Sequence, residues 1–483
     1  MRKICFVLTA AILFSATAFA QVAISSKGAT PDANTMLDIK SNNKGVKFPM
    51  LSSAERTAMN LSGSDAGMMV FDRDKQALYM YDGQKWLPFA YANPTPGSIS
   101  SPVYPEHGVQ RGYNYGETVA INGEFAAVAA PEDSVGANKP GSVFIYRKTN
   151  ATWALHSRIV PPFTTTASIF FGRSISIQGN YMVIGATDVD GAFGQQGAAF
   201  IYFFNGTSWQ YQQKIQAADP QLNGNFGVAV KIDNNTIVAG AHRTDVAGKV
   251  EQGAAYVFIR NGNTWTQQAK LIAPDGAASA FFGSTIALDG DYVAIGAYNT
   301  KVNDAYKGAV YVYVRGGGTW TFQQKLMSDI TIGDGYFGGA LSMQGNILVV
   351  GATTEIHANA NCGGIHLFKR EDATWTRFTT RYSPATQGYM YFGAEVSFRN
   401  NYLLVSAPGE KVNGIESGAV YLYKLHPDGL IFIKKIDIPY TTDQDSWAYS
   451  LDFDGTNFLI SSPGTFRNPD LGYENGVVCF GSL

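Results

Sequence analysis

The segment FGSTIALDGDYVAIGAY, from Phe282 to Tyr298, occurs in related form seven times in this chain of 483 residues. The copies align without a gap, and successive copies begin 55 or 56 residues apart. Each begins with an aromatic residue and ends in a triplet opened by Gly, Ala or Ser. A repeat of this length is typical of solenoids and propellers. The other copies are YGETVAINGEFAAVAAP from Tyr115, FGRSISIQGNYMVIGAT from Phe171, FGVAVKIDNNTIVAGAH from Phe226, FGGALSMQGNILVVGAT from Phe337, FGAEVSFRNNYLLVSAP from Phe392 and WAYSLDFDGTNFLISSP from Trp447.

Each repeat continues in a common way. A run such as GAVYVY from Gly308 follows after about ten residues, and a short polar turn then leads to a further apolar position. Every segment alternates apolar with small or polar residues, which is the period of a β-strand. The unit is therefore predicted to be four short antiparallel strands, a to d. Strand d begins with Trp153, Trp209, Trp265, Trp320, Trp375 or, in the sixth repeat, Leu430.

A lone four-stranded sheet cannot bury both of its faces, whereas seven sheets stacked around a ring bury them against each other. The sequence thus predicts an all-β protein, with a seven-bladed β-propeller of four-stranded antiparallel blades over residues 111–483. The last repeat ends near Cys479 without room for a fourth strand. We expect residues 93–110 to hold a linker and the ring-closing strand, within Ser98 to Tyr104.

These repeats resemble the FG-GAP family, which includes integrin α-subunit propellers and exported bacterial proteins. The resemblance implies recognition or adhesion at a surface. Integrin propellers carry Ca²⁺ on an acidic loop between strands a and b, and such a site needs several converging oxygens. Here that connection is predicted to be a two-residue type I′ turn, so we expect no family-type metal site. The connections are Asn122-Gly123, Gln178-Gly179, Asp233-Asn234, Asp289-Gly290, Gln344-Gly345, Arg399-Asn400 and Asp454-Gly455.

The N-terminal part differs in texture. Residues 1–20 carry Arg2 and Lys3, an apolar run and a small-residue site before Gln21, as a secretory signal peptide does. Residues 21–92 read as a small β-rich module with one short helix over Ser53–Met59. This module resembles N-terminal pieces of exported Bacteroidota proteins and of phage tail-fibre-like proteins. It is interpreted either as a stalk or oligomerisation element, or as a simple spacer.

Composition and motifs narrow the function. A formal net charge of −2 offers no basic footprint for nucleic acid, and no segment reaches the length of a membrane span. Cys362 and Cys479 fall in blades five and seven, which are not neighbours, so two free thiols are expected. We found no serine-hydrolase elbow, zinc-binding helix motif or phosphate loop, and the six histidines are scattered. The chain is therefore expected to be neither an enzyme nor dependent on a cofactor.

The loops direct attention to one face of the propeller. The a–b and c–d turns are short and repetitive, whereas the b–c and d–a loops are longer and differ in every blade, as in a recognition surface. The resulting prediction is an exported, cell-surface or periplasmic adhesion protein that binds a protein or glycan there. The candidate ligand-binding residues are Asp188, Asp190, Arg243, Asp245, Asn303, Asp304, Tyr306, Glu355, His357, Glu410 and Lys411.

Alternatives remain open at this point. One is a lectin with a pocket repeated between blades, although the loops do not repeat. A second is a carbohydrate-active enzyme with carboxylates or histidines converging near the channel. A third is a structural scaffold that oligomerises through residues 21–92. The pair Asp188 and Asp190 has the spacing of a metal-binding turn but no downstream carboxylate partner, and an ordinary acidic turn is the preferred interpretation.

Overall fold

The computed structural model describes residues 22–25, 37–40, 47–74, 77–81, 83–88, 103, 114–134, 138–165, 167–191, 194–329, 333–357, 360–384, 388–412, 415–416, 418–427, 429–436, 447–467 and 474–483. The predicted signal peptide lies outside these residues. The chain divides into two compact units, Met1–Tyr91 and Ala92–Leu483. Among the described residues, no helix has the length and hydrophobicity needed to span a membrane.

The first unit contains two small sheets and one helical turn. Strands β1 and β2 pair in parallel, and β3 to β6 form a four-stranded sheet. Their bounds are β1 Val22–Ser25, β2 Leu37–Lys40, β3 Met50–Leu51, α1 Ser53–Thr57, a 3₁₀ turn Gly63–Asp65, β4 Met69–Asp72, β5 Ala77–Tyr81 and β6 Trp86–Pro88. Helix α1 begins where Ser52 and Glu55 cap each other's backbone N–H groups. The short helix predicted over Ser53–Met59 is present over Ser53–Thr57, and strands make up most of the other regular structure described in this unit.

A buried ion pair holds this unit together. Arg56 Nε donates to Asp72 Oδ2 at 2.8 Å, and these two side chains are 7% and 0% exposed. The guanidinium also lies 3.8 Å from the ring centroid of Tyr79. Removing either charged partner would leave the other buried without its ion pair.

The second unit contains sheets 1 to 7, in chain order. Sheet 1 has β7 Val119–Asn122, β8 Phe125–Ala130, β9 Ser142–Thr149 and β10 Thr152–Ile159. Sheet 2 has β11 Ser174–Gln178, β12 Tyr181–Ala186, a ribbon of β13 Asp190–Gly191 and β14 Gly194–Gln195, then β15 Ala198–Phe204 and β16 Trp209–Ile215. Sheet 3 has β17 Phe226–Asp233, β18 Thr236–Ala241, β19 Ala254–Asn261 and β20 Thr264–Leu271.

The remaining sheets repeat this plan. Sheet 4 has β21 Thr285–Asp289, β22 Tyr292–Ala297, a ribbon of β23 Lys301–Val302 and β24 Ala305–Tyr306, β25 Ala309–Gly316 and β26 Thr319–Leu326. Sheet 5 has β27 Phe337–Gln344, β28 Ile347–Ala352, a ribbon of β29 Ile356–His357 and β30 Ala360–Asn361, β31 Gly364–Glu371 and β32 Thr374–Tyr382. Sheet 6 has β33 Val396–Arg399, β34 Tyr402–Ala407, a ribbon of β35 Lys411–Val412 and β36 Ile415–Glu416, β37 Ala419–His426 and β38 Gly429–Ile436. Sheet 7 has β39 Ser450–Phe453, β40 Asn457–Arg467 and β41 Glu474–Ser482.

All these sheets are antiparallel meanders, and they form a closed ring. The first strands contact each other in cyclic order, from β7 through β11, β17, β21, β27, β33 and β39 back to β7. Separate apolar clusters fill the spaces between neighbouring sheets, including the space between sheets 7 and 1. This is the architecture of a β-propeller, in which each sheet buries its faces against its two neighbours.

The glycines of the repeat lie where neighbouring sheets approach most closely. Gly227, in the second position of its repeat, has φ +88°, and a Cβ there would lie 2.5 Å from the Ala198 carbonyl oxygen of sheet 2. A Cβ on Gly185, in the final triplet of the preceding repeat, would lie 2.0 Å from the Gly227 carbonyl oxygen. Only glycine allows this backbone approach.

The ring closes through the segment that precedes the first repeat. Val103 and Val478 exchange backbone hydrogen bonds of 2.8 and 3.1 Å, as an isolated antiparallel bridge on the outer side of β41. This bridge lies inside the predicted range of Ser98 to Tyr104, whose other residues are outside the described part of the chain. Cys362 and Cys479 are both unpaired and buried.

Two expectations about the connections need correction. The a–b turns have two residues in sheets 1 to 6, but they begin one residue later than predicted, as in Gly290-Asp291. Positive φ falls only on the first turn residue, except at Asn400-Asn401, so the φ pattern is that of type II′ in most cases. The b–c loops also differ less than their sequences suggest, because four of them form the same two-residue ribbon.

Candidate functional site

The ring encloses a central channel with a cavity of about 410 Å³, lined by the first strands of all seven sheets. Most residues that face it at the middle of strand a are small, such as Ser176, Ser342 and Ser397. Two sheets carry a charge at that repeat position instead, Lys231 in sheet 3 and Asp452 in sheet 7. Charged groups therefore replace small ones at this repeat position in two of the seven sheets.

A further charge, Glu395, lies two residues before Ser397, directly before strand a of sheet 6. Burial raises the pKa of its carboxyl to about 7, Lys231 opposes this rise, and Asp452 adds to it. Asp452 accepts hydrogen bonds from Ile121 N at 3.0 Å, Ser397 Oγ at 3.0 Å and Phe453 N at 2.9 Å. Two carboxylates in one polar channel thus differ in environment, because hydrogen-bond donors surround only the second.

The channel has two different ends. At the end formed by the a–b turns, the eighth residue of the repeat accepts a hydrogen bond from the turn of the next sheet at six of the seven junctions. This residue ends strand a in sheets 1 to 5 and directly follows it in sheet 7. We call these contacts the turn ring. The acceptor–donor pairs are Asn122–Gly179, Gln178–Asn234, Asp233–Gly290, Asp289–Gly345, Gln344–Asn400 and Asp454–Gly123. Side chains at this end therefore serve the scaffold.

The opposite end, which we call the loop face, is built from the b–c and d–a connections. Beside the channel mouth it holds a second cavity of about 350 Å³, at the junction of sheets 1, 2 and 3. Arg173 and Val228 line both cavities. The loop-face cavity is lined by Asn114, Glu117, Glu132, Phe170, Arg173, Thr187, Asn225, Val228, His242 and Arg243.

Charged groups of both signs line this cavity. Arg173 forms an ion pair with Glu117, and Asn114 Nδ2 donates to Glu132 Oε1 at 3.0 Å. Arg243 is half exposed, and its nearest carboxylate oxygen, on Glu251, is 3.7 Å from Nε. That distance is too long for a hydrogen bond.

His242 forms the wall of the cavity next to Arg243. Burial lowers the pKa of its imidazole to about 4, and the positive charges of Arg243 and Arg173 contribute to the lowering. The imidazole is therefore neutral at physiological pH. Its ring packs edge-on against Phe281, with centroids 5.3 Å apart.

A row of partly exposed aromatic rings extends from His242 along the loop face. Phe281 and Tyr298 have centroids 5.9 Å apart, Tyr298 and Tyr336 6.1 Å, and Tyr336 stacks on Tyr306 at 5.9 Å. Tyr391 and Tyr449, in the next two sheets, are 40% and 48% exposed. Aromatic rings with one open face are common at binding surfaces.

Several of these rings stand on a strained backbone. The residue directly before the motif aromatic has φ between +49° and +58° in every repeat where it is described. Asn114 and Asn225 suit this left-handed conformation, whereas aromatic residues rarely adopt it. The aromatic cases are Phe170, Phe281, Tyr336 and Tyr391. Strained residues concentrate at functional sites, so this pattern favours the loop face as the functional one.

Of the predicted site residues, the structure brings only Arg243 and Tyr306 to these features. Asp190, Asp245, Asn303 and Asp304 are exposed on separate b–c loops, and Asp188 is partly exposed. His357 is exposed and stacks on Tyr382 at 4.0 Å, and Lys411 lies exposed on the ribbon of sheet 6. These residues share the face but do not converge.

Glu355 and Glu410 were expected on the binding surface, and the structure corrects this, because they are 0% and 4% exposed. Glu355 Oε2 lies 2.8 Å from His366 Nε2. Glu410 accepts hydrogen bonds from the Tyr421 hydroxyl and, at 2.6 Å, from Lys435 Nζ. Glu355 thus joins the b–c loop of sheet 5 to strand c, and Glu410 joins the b–c loop of sheet 6 to strands c and d, so both carboxylates are engaged in buried contacts.

Four residues of these features were not predicted from the sequence, namely Glu117, Arg173, Tyr449 and Glu395. The first three occupy one repeat position, directly after the FG-like pair, where the other repeats have Val, Ser, Gly or Ala. Glu395 stands where its counterparts are Thr, Ser or Ala. The sequence does mark these residues, because each is charged or aromatic at a repeat position where most other repeats have a smaller, uncharged residue. No group of three His, Cys, Asp or Glu side chains suited to a metal ion occurs among the described residues.

Family comparisons agree with this architecture. The profile described as FG-GAP repeat matches residues 158–202, 209–258, 265–313 and 385–423. This chain contains FG-GAP repeats. The four matches cover the FG-GAP repeats that begin at Phe171, Phe226, Phe282 and Phe392. A second profile, described as phage tail like trimerisation region, matches residues 24–101. Among curated proteins the chain has no match.

Proposed function

We propose that this chain is an exported recognition protein, built on a seven-bladed propeller, that binds a protein or glycan through the loop face. The observation that carries this proposal is the composition of the channel mouth. The incompletely bonded guanidinium of Arg243 lines the cavity beside this mouth, and a row of partly exposed rings runs from His242, in the wall of that cavity, along the loop face. A concave surface with apolar walls and a few polar groups is the usual form of a ligand site.

The contrast between the two ends of the channel supports this choice. In the turn ring, side chains are engaged by backbone N–H groups of the next sheet, which leaves few free donors or acceptors. On the loop face, the turn into strand a explains the positive φ at these positions but not the aromatic side chains that four of them carry. The simplest interpretation is therefore that the loop face binds a ligand and that the turn face holds neighbouring sheets together.

The N-terminal unit adds a second part to the proposal. Its match to a trimerisation region supports assembly of three copies, which would join three propellers in one molecule. Several weak sites on one assembly raise the apparent affinity well above that of a single site. Export by residues 1–20, a cell-surface, extracellular or periplasmic location, kinship with integrin α-subunit propellers and an origin in the Bacteroidota also belong to this proposal.

The test is a binding screen of the full mature protein against a glycan array, a panel of extracellular proteins and intact cells, with and without Ca²⁺. We expect binding that does not require Ca²⁺. The variant Tyr336→Ala on the loop face should weaken it, and Phe432→Ala, an exposed aromatic on strand d, should not. Absence of binding to every probe, or equal loss in both variants, would contradict the proposal.

One observation favours a second candidate, a carbohydrate-active enzyme that acts in the channel. Glu395 and Asp452 are two carboxyl groups in different environments, and such pairs divide acid and base roles in glycoside hydrolysis. Release of reducing ends from polysaccharides by the mature protein would support this candidate if Glu395→Gln abolished it. Activity unchanged by that substitution would remove Glu395 from it.

A further inference from the structure

The loop-face cavity offers donors that the protein itself leaves unused. Within the described structure, the guanidinium of Arg243 makes no hydrogen bond, and its contact with Glu251 is 3.7 Å long. The side-chain amide of Asn225, on the same wall, also makes no hydrogen bond to a described residue. A guanidinium presents a planar fork of N–H groups that matches a carboxylate or a phosphate. An anionic group with two oxygens would therefore complete this side of the cavity.

The acceptors of the cavity are already partly engaged. Glu117 is paired with Arg173, and Glu132 accepts from Asn114. Their negative charges lie in the same cavity as Arg243, and they would repel a doubly charged phosphate more strongly than a singly charged carboxylate. Their remaining lone pairs can accept hydrogen bonds from hydroxyl groups. A complementary ligand thus carries one carboxylate and several hydroxyls.

Apolar surface lies next to these polar groups. Phe170 lines the cavity, and the row of rings from Phe281 to Tyr298 begins at its wall, beside His242. The C–H face of a pyranose ring packs well on such rings, while its hydroxyls reach polar groups at the edge. The positive charges of Arg243 and Arg173 extend over this region, because both affect the pKa values of His242 and Tyr298.

We propose that the loop-face cavity binds a uronic-acid residue of an acidic polysaccharide, with the sugar carboxylate on Arg243. This inference rests on the proposed recognition function and adds the chemical class of the ligand. An acidic peptide would supply the carboxylate but not the adjacent hydroxyls, so the cavity favours the sugar.

The experiment is calorimetric titration of the full mature protein with glucuronic-acid-containing oligosaccharides, with the same oligosaccharides after carboxyl reduction, and with a poly-glutamate peptide. We expect binding of the first ligand only. Arg243→Gln should weaken it roughly 10- to 100-fold, as loss of a charge-assisted contact does. Arg243→Lys keeps the positive charge but loses the planar fork of N–H groups. Its affinity should therefore lie between those of the unmodified protein and of Arg243→Gln. The matched control is Arg147→Gln, a similarly exposed arginine at the c–d end of sheet 1.

The outcomes separate this inference from the proposed function. Equal binding of the carboxyl-reduced sugar, equal binding of poly-glutamate, or unchanged binding by Arg243→Gln would overturn the uronate inference. A neutral glycan or a protein bound in the wider screen would then still uphold recognition through the loop face. No binding of any sugar, protein or cell by the unmodified protein would overturn both.

Discussion

At the scale of the residue, the position directly before the aromatic residue that opens each repeat shows which side chains suit the backbone conformation and which do not. Its φ is near +50° in each described repeat, because the chain must turn sharply from strand d into strand a. Asparagine meets this demand easily, and Asn114 and Asn225 stand there in sheets 1 and 3. Tyr391 and Phe281 meet it at a cost in free energy of about 1 kcal/mol. Aromatic side chains therefore occupy these positions although the positive φ disfavours them.

Tyr391→Asn tests this cost directly. Tyr391 is 40% exposed, so its ring contributes little packing, and the substitution should raise the free energy of unfolding by about 0.5–1 kcal/mol. The reciprocal change, Asn225→Tyr, should lower it. Both are measured by denaturant titration, and a fall in stability for Tyr391→Asn would show that the ring, not the backbone, dominates there.

Glu395 predicts a pH dependence of stability. Its pKa is raised from 4.5 to about 7 in the folded protein, so unfolding releases a proton between those values. The free energy of unfolding should therefore fall as the pH rises from about 4.5 to 7 and level off above, with a contribution of about 1–3 kcal/mol.

Glu395→Gln should flatten this dependence and stabilise the protein at pH 8. Thermal unfolding followed at several pH values measures both effects. Glu371→Gln is the control, because Glu371 is exposed and Lys369 helps to lower its pKa. A pH profile that is identical in the Glu395→Gln variant and the unmodified protein would contradict the assignment.

At the scale of the element, strand d is held to the next sheet by glutamines. The indole Nε1 groups of Trp265, Trp320 and Trp375 donate to glutamine oxygens of the preceding sheet at 3.2, 3.0 and 3.0 Å. His156 takes the glutamine position before Trp209, whose Nε1 is buried without a partner in the described structure. Phe378 takes it before Leu430, which needs no acceptor. For the sixth sheet, therefore, both the tryptophan donor and the glutamine acceptor are replaced by apolar residues. For the second sheet, the tryptophan remains although the glutamine is replaced.

Gln323→Ala should destabilise the protein by about 1–2 kcal/mol, because it leaves the indole N–H of the buried Trp375 without an acceptor. Gln210→Ala is the matched control on an exposed site, where the side chain bonds only to Ser208 nearby. The two variants are compared by chemical denaturation. An equal loss of stability in the two variants would show that the hydrogen bond between Gln323 and Trp375 does not stabilise the contact between their sheets.

At the scale of the whole molecule, stability depends on joining the ends of the ring. Val103 pairs with Val478, and Asp454 and Asp452 of sheet 7 accept the N–H groups of Gly123 and Ile121 in sheet 1. These contacts repeat the bonds found at other junctions, although they join residues more than 300 positions apart. Closure removes the exposed sheet edge that an open arc would have.

Val103→Pro should lower the free energy of unfolding by about 1–3 kcal/mol. Proline has no N–H group, so the Val478 carbonyl oxygen loses the hydrogen bond that it accepts from Val103. Val103→Thr keeps the N–H and the branched side chain, so it should be near neutral. Differential scanning calorimetry compares the two. An unchanged proline variant would mean that the bridge does not contribute to closure.

The N-terminal unit should set the oligomeric state. The mature chain is expected to have the mass of a trimer in light scattering, and a variant that lacks residues 21–91 should have the mass of a monomer. The far-ultraviolet circular dichroism of the shortened variant is the control for folding. A folded variant that remains trimeric would place the contact in the propeller instead.

Much of this protein was determined by sequence alone. The spacing of the seven copies and the alternation within them predicted the all-β architecture and the four-stranded antiparallel unit, since local alternation and turn residues specify short strands directly. The repeated glycines carried this information because only glycine tolerates the close approach of neighbouring sheets. A short N-terminal helix was likewise predicted, over Ser53–Met59, and is found over Ser53–Thr57.

The candidate site was decided by tertiary structure. Arg243, Arg173, Glu117 and Phe170 come from three sheets, and only ring closure brings them to one cavity. Conversely, Glu355 and Glu410 look like solvated loop residues in the sequence, yet donors on strands c and d hold them inside. A sequence shows which residues depart from a repeat, but burial and convergence depend on contacts between distant segments, and those contacts exist only in the closed fold.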